Sequence, residues 1–202
     1  QTPIATGWSY SAKPEFALAE SWIGRPIAGE DNLPELVQRY LAAFGPASVT
    51  DAQTWLGMKL KETFEKLRPE MRTYRDEGRR ELFDLPELSL PEADASAPVG
   101  FLPEFDNLLL SHNNRTRVVA DEFRSKVYLP ALRVAATVLV DGFVRAVWKV
   151  EKSKDAATLV IEPFAKLAKL EHAEIMEEAE RLIRFVEVGA ESHRVRIAKP
   201  AR

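Results

Sequence analysis

Residues 31–85 read DNLPELVQRYLAAFGPASVTDAQTWLGMKLKETFEKLRPEMRTYRDEGRRELFDL, and the order of elements in this stretch decides the fold. Asp31 or Asn32 can cap a helix whose first turn holds Pro34, where a missing N–H costs nothing. Leu33, Leu36, Val37, Tyr40, Leu41 and Phe44 follow at helical spacing, and Gly45-Pro46 ends the run. Ser48 with Asp51 three residues on predicts a second helix start, a variant of the capping box. Ala52, Trp55 and Leu56 share its inner face and Gly57 closes it. KLKETFEKL (59–67) predicts a third helix with Leu60, Phe64 and Leu67 inward and Lys59, Lys61 and Lys66 mostly outward. MRTYRDEGRRELFDL (71–85) predicts a hairpin turning at Asp76-Glu77-Gly78. Three short helices and then a hairpin is the order of a winged helix, whose second and third helices form a helix-turn-helix pair.

On either side the pattern changes. Residues 1–30 form a lead-in with a short helix predicted at Glu15–Ile23, Trp22 turned inward and Gly24-Arg25-Pro26 as its stop. PELSLPEADASAP (86–98) has three prolines and no periodicity, which makes it a linker between the winged helix of 31–85 and a domain at 99–202. In that domain TVLVDGFVRAVWKVEK predicts a hairpin around Asp141-Gly142. Val144, Ala146, Trp148 and Val150 should share one apolar face. TLVIEPF adds a strand, FAKLAKLEHAEIMEEAERLIRFVE a long amphipathic helix, and SHRVRIA a last strand. Short strands with one helix suggest a small β-barrel or half-barrel, so the whole is read as an α+β chain.

Composition narrows the function. At 202 residues with 46% hydrophobic side chains, the chain can bury a core. No stretch approaches the ~18–20 apolar residues of a membrane span. The first residues lack a charged segment followed by an apolar one, so no signal peptide is read there. Gln1 in place of Met leads us to expect a piece of a longer protein. The absence of cysteine excludes disulfides, thiolate metal sites and cysteine nucleophiles and fits a cytoplasmic protein. His112, His172 and His193 stand too far apart to suggest a metal centre, and no metal or cofactor is implied. The net charge of −3 hides an uneven distribution: Ser111–Lys154 holds nine basic and four acidic residues, and Glu171–Glu187 six glutamates and two arginines.

The basic segment opens with LPEFDNLLLSHNNRTR (102–117). After three leucines this run offers His112, Asn113, Asn114, Arg115 and Arg117, groups that suit phosphate and minor-groove contacts. The plainer alternative is a turn, since Asn-Asn is good turn chemistry and His112 can cap what precedes it. The hairpin arginines Arg72, Arg75, Arg79 and Arg80 form a second candidate phosphate grip, diluted by Asp76 and Glu77. Lys59 and Lys61, with Lys66 and Arg68, either face a groove or form an ordinary solvated face among Glu62, Glu65 and Glu70. The latter suits a 31–85 segment with nine basic and ten acidic residues. Glu104 and Asp106 are a poor case for a general base: Asp106 is expected to cap a short helix and Glu104 to order an arginine. Trp148 is read as core, and the acidic helix as a solvated outer face.

RYLAAFGPASVTDAQTWLGM, RRELFDLP, FLPEFDNLLLSHNNRTRVV and TVLVDGFVRAVWKVE, in this order and spacing, resemble one bacterial superfamily over roughly residues 8–200. It is the tandem winged-helix proteins that include the DNA glycosylases for alkylated and crosslinked bases, of the azinomycin-resistance type. Its members are longer, with tandem winged helices and then a β-barrel in a C shape around DNA, and this chain resembles their C-terminal half. The resemblance implies a monomer that binds double-stranded DNA, with no membrane and no cofactor. The family's catalytic Gln-aliphatic-Gln or Gln-x-Asp motif is absent: Gln38 precedes Arg39-Tyr40 and Gln53 precedes Thr54-Trp55. No catalytic residue carries over, and any N-glycosidic chemistry is expected outside this chain. A non-catalytic DNA-binding or regulatory protein, and a scaffold without DNA affinity, remain as alternatives.

Overall fold

The computed structural model describes residues 16–27, 32–92 and 94–200. The chain divides into a small unit, residues 1–33, and a large one, residues 34–202. In the small unit α1 spans Ala19–Ile23 and stops at Gly24, which takes a left-handed φ of 72° and donates to the Glu20 carbonyl. The helix starts later than its apolar spacing predicted, and Glu15 lies outside the described residues. Trp22 does not turn inward: it is 58% exposed.

The large unit begins with α2 (Leu33–Phe44), α3 (Val49–Leu56) and α4 (Lys61–Leu67). Asp31, a possible cap for α2, lies outside the described residues. Val37, Tyr40 and Leu41 are the buried face of α2. The predicted capping box is present at α3, where the Ser48 side chain and the Asp51 amide, and the Asp51 side chain and the Ser48 amide, satisfy one another. Gly57 closes the helix at φ 66°, a conformation that favours glycine. The third helix is shorter than its sequence suggested: Leu60 sits at its N-cap, so Lys59 precedes it. Strands β1 (Arg72–Arg75) and β2 (Glu81–Asp84) pair antiparallel, and Ala47 bridges to Phe83 beside them. Phe64 and Phe83 meet edge to face at 5.1 Å and pin α4 to this hairpin.

Beyond residue 99 the chain builds a five-stranded sheet in the order β3-β6-β7-β8-β9, from β3 (Gly100–Leu102), β6 (Thr137–Val140), β7 (Phe143–Lys152), β8 (Ala156–Pro163) and β9 (Ser192–Ile197). Between β3 and β6 lie α5 (Asn107–Leu110), α6 (Arg124–Val127) and a separate hairpin of β4 (Tyr128–Leu129) and β5 (Arg133–Val134). The predicted turn at Asp141-Gly142 joins β6 to β7, both residues at positive φ as a tight two-residue hairpin requires.

The barrel expected from the strand pattern does not form. Helix α7 (Lys169–Val186) carries the chain from β8 back to β9, which therefore pairs parallel at the far edge from β3. With the helix packed on one face through Ile175, Ala179 and Ile183, the sheet stays open. The opposite face packs against the 105–134 segment through Leu109, Val118, Val119, Val127 and Val134.

The alternation predicted for β7 also fails at one point. The register shifts so that Val138 faces Ala146 but the next residue, Leu139, faces Val144. This one-residue bulge at Arg145 turns Val144 into the core of the 105–134 side, while Ala146, Trp148 and Val150 pack on the α7 side. Trp148 is partly buried there and donates its indole N–H to the Leu102 carbonyl at 2.9 Å.

Candidate nucleic-acid interface

The 102–117 stretch lies where the helical half of the large unit meets the sheet half. Asp106 caps α5 by accepting from the Leu108 amide. Glu104 is exposed and, among the described residues, orders no arginine. The chain then enters a buried polar hub. Tyr40 on α2 donates its hydroxyl to the Ser111 carbonyl at 2.7 Å. Asp51 on α3 accepts from the Ser48 amide and hydroxyl through Oδ2, and from the Asn113 amide at 2.8 Å through Oδ1. One carboxylate thus caps its own helix and holds a loop 62 residues away. Trp55 adds an indole N–H to Asn107 Oδ1 at 3.2 Å.

His112 is 6% exposed at the centre of this hub. Its Nδ1 lies 2.8 Å from Ser111 Oγ; its Nε2 lies 3.0 Å from the Phe44 carbonyl and 2.8 Å from Arg117 Nη1. Arginine is always a donor, so with Nε2 accepting from Arg117 the Nδ1–H donates to Ser111 and the Ser111 hydroxyl donates to the Leu108 carbonyl; the Phe44 carbonyl, itself an acceptor, is then a polar neighbour of Nε2 and not its hydrogen-bond partner. Burial pushes the imidazole below its ordinary value and the Arg117 charge pushes it further, against the pull of Asp51. Burial works to raise the Asp51 carboxyl, but the hydrogen bonds from Ser48 and Asn113 outweigh it and hold the group low. The Tyr40 phenol is raised by burial first and by Asp51 second. The hub therefore holds a neutral imidazole, an anionic carboxylate and a protonated phenol.

The other candidate residues are distributed as follows. Asn114 accepts from the Thr116 amide and hydroxyl and caps the 3-10 turn of Arg115–Arg117. Arg117 is exposed, with Nη1 also bound to the Pro46 carbonyl at 2.7 Å. Arg115 lies over the Tyr128 ring at 4.2 Å. On the hairpin, Arg80 is paired with Asp76 at 2.6 Å and Arg72 donates to the Leu88 carbonyl, while Arg75 and Arg79 are exposed. Arg68 is bound by Glu65 and Glu81 together. Lys59 and Lys61 are exposed near Glu62 and Glu65. The fold brings His112 and Arg117 into contact and sets the charge of Arg80 on the same imidazole, but it leaves Arg75 and Arg79 on the separate hairpin tip.

Sequence reasoning did not nominate the cations next to Arg115. Arg124 also lies over Tyr128, at 5.5 Å, and Lys126 stands 5.8 Å from the Phe123 ring and 5.2 Å from that of Phe164. Among the described residues none of Arg115, Arg117, Arg124 and Lys126 has a carboxylate in ion-pair range. Tyr128 begins the β4–β5 hairpin, whose tip holds Ala131 and Leu132, both at φ 59°, with Leu132 92% exposed. The signal was legible in FRSKVY (123–128), two basic residues flanked by aromatics. Among the described residues no group of metal-ligating side chains gathers, and no helix is long and apolar enough to cross a membrane.

A relative described as an interstrand DNA cross-link repair glycosylase, from Streptomyces sahachiroi, is 29% identical over 181 residues. That match covers 85% of this chain and 47% of the relative. The solved structure of Streptomyces sahachiroi DNA glycosylase AlkZ is similar with a TM-score of 0.67 at 28% identity, over 82% of this chain and 45% of that one. The chain thus spans about half the length of the relatives it matches. Residues 1–185 match the family described as DNA glycosylase AlkZ-like, and the chain belongs to that family.

Proposed function

We propose that this chain is the duplex-gripping, C-terminal part of a winged-helix DNA glycosylase that repairs alkylated or crosslinked bases in the cytoplasm. The observation that carries the reading is the set of cations without carboxylate partners laid over aromatic rings, Arg115 and Arg124 on Tyr128 and Lys126 on Phe123 and Phe164. Held on ring faces, these groups keep their charge available to phosphates while their stems are ordered. Three helices, the β1–β2 hairpin and the Ala47 bridge support the winged-helix assignment of residues 31–85. Residues 86–98 then serve as linker and 99–202 as the second domain. Within the winged helix the hairpin arginines Arg72, Arg75, Arg79 and Arg80 add backbone contacts. Helix α4 is charge-balanced and its neighbour Arg68 is neutralised, so Lys59 and Lys61 supply at most peripheral phosphate contacts. His112 and Asn114 act by ordering the arginines around them. No cofactor is required, the chain acts as a monomer, and the bond-breaking residues belong to a part of the parent protein that precedes it.

Fluorescence anisotropy with a plain and an alkylated duplex across a salt series tests this reading. We expect binding whose log–log salt dependence is steep, and shallower in an Arg124→Ala/Lys126→Ala variant by about 0.9 for each phosphate contact removed. No binding at low salt would overturn it in favour of a scaffold. Salt-dependent binding by a full-length parent that never releases a base would favour a regulatory DNA-binding protein.

A further inference from the structure

Arg117 is tied to the protein at one nitrogen. Its Nη1 donates to the Pro46 carbonyl and to His112 Nε2, at 2.7 and 2.8 Å. Among the described residues no acceptor stands within hydrogen-bond distance of Nε or Nη2, and the side chain is exposed. The guanidinium is a rigid planar fork, and two of its N–H groups side by side match two phosphate oxygens. Anchoring Nη1 by two acceptors fixes the plane of the group and leaves its Nε–Nη2 edge facing solvent. The anchors are themselves rigid. Pro46 follows the end of α2, and His112 is clamped between Ser111 and the helical half, with Asp51 and Tyr40 holding the loop on either side. Nothing in the packing of the core needs a cation at this place, since Arg117 sits at the rim and its fork meets no carboxylate.

We infer that Arg117 is a bidentate fork for one backbone phosphate of duplex DNA, and that buried His112 is the positioning residue that holds it. This rests on the DNA-binding reading above and deepens it at one site. His112 does not touch the nucleic acid; it accepts from Nη1 so that the opposite edge is presented without a search through rotamers. The bidentate geometry demands arginine. Lysine keeps the charge but offers a single ammonium, which cannot meet both oxygens and the Pro46 carbonyl at once.

Anisotropy titrations of the 202-residue chain with a plain duplex, at several salt concentrations, test the assignment. Arg117→Ala should make the salt slope shallower by about 0.9, the signature of one lost phosphate contact. Arg117→Lys, at an exposed position that does not threaten folding, should keep the slope and still bind several-fold more weakly. His112→Ala should weaken binding, and the His112→Ala/Arg117→Ala double variant should bind no worse than Arg117→Ala alone, because the histidine acts through the arginine. His112→Gln, whose amide oxygen can accept where Nε2 does, should restore most of the loss. Multiplicative effects in the double variant, or an Arg117→Ala slope equal to that of the unaltered chain, would overturn the inference while leaving DNA binding intact. An unaltered chain that binds no duplex would overturn the DNA reading and this site with it.

Discussion

Thr137 and Tyr40 are both buried, yet only one of their hydroxyls is used. Tyr40 donates a hydrogen bond to the Ser111 carbonyl, whereas Thr137 Oγ1, in a residue 0% exposed, has no partner among the described residues. An unpaired buried hydroxyl costs about 1–3 kcal/mol. Thr137→Val, which keeps the shape, is therefore expected to leave the urea midpoint unchanged or raise it. Tyr40→Phe should lower stability by about 1 kcal/mol or more, because it strands the Ser111 carbonyl. The hub residues also make stability depend on pH. In the unfolded chain His112 takes up a proton as pH falls through 6.5, while in the fold burial and Arg117 keep it neutral to lower pH. Its contribution is complete above that pH and is lost progressively below it, towards the lowered folded value. Asp51 behaves likewise further down: held below 3.8 in the fold, its contribution is present above 3.8 and disappears as the pH falls from there through the lowered value. Urea midpoints measured from about pH 7.5 to about pH 5 should fall in the unaltered chain and stay flatter in His112→Gln.

At the scale of elements, the end of α2 shows how a short motif can be legible for one reason and needed for another. Gly45-Pro46 reads as a helix stop, and it is one. A Cβ at Gly45, however, would stand 2.6 Å from both Asp84 Oδ1 and the Leu41 carbonyl, so the Asp84 carboxylate from β2 and the helix's own backbone together leave no room for a side chain. Gly45→Ala should cost about 1–3 kcal/mol and lower the thermal midpoint, even though alanine favours helices. Helices α2, α3 and α7, the capping box at Ser48, the Asp141-Gly142 turn and the strands of the β1–β2 and β6–β7 hairpins were legible because each is set by residues within a few positions, whereas α6 and the β4–β5 hairpin were not read. The open sheet was not, because whether strands close into a barrel depends on where α7 returns the chain, a long-range outcome. The bulge at Arg145 was hidden for a similar reason: alternation in β7 looks unbroken until β6 fixes the register. For the site, the basic excess of 111–154 was visible, and Arg115 and Arg117 with it. That His112 faces inward was not, since the groups that receive this loop, Phe44 beside His112, Asp51 on the Asn113 amide and Pro46 on Arg117, lie about sixty to seventy positions away in sequence.

For the molecule as a whole, the helical half and the sheet half of residues 34–202 form one compact unit, and the hub lies between them. The two halves have separate cores: Tyr40, Leu41, Phe64 and Phe83 in one, and the clusters on the two faces of the five-stranded sheet in the other. The contacts of Asp51, His112, Tyr40, Trp55 and Arg117 described above join residues of the helical half to residues of the sheet half. A buried carboxylate that has lost its partners, or a buried amide that has lost its carboxylate, is costly. Breaking the hub should therefore uncouple two cores that could each persist. Trp55 on α3 and Trp148 on β7 report on the two halves, and replacing Trp8 and Trp22 with phenylalanine removes the remaining indoles. In single-tryptophan versions of that background, urea unfolding followed at Trp55 and at Trp148 should give coincident transitions, as one cooperative unit requires. With Asp51→Ala added, the Trp55 transition should move to lower urea than the Trp148 transition, because the short helices lose both the cap of α3 and their tether to residue 113. Coincident curves that shift together in the Asp51→Ala chain would mean that apolar contact alone joins the halves, and that the hub serves local capping and nothing more.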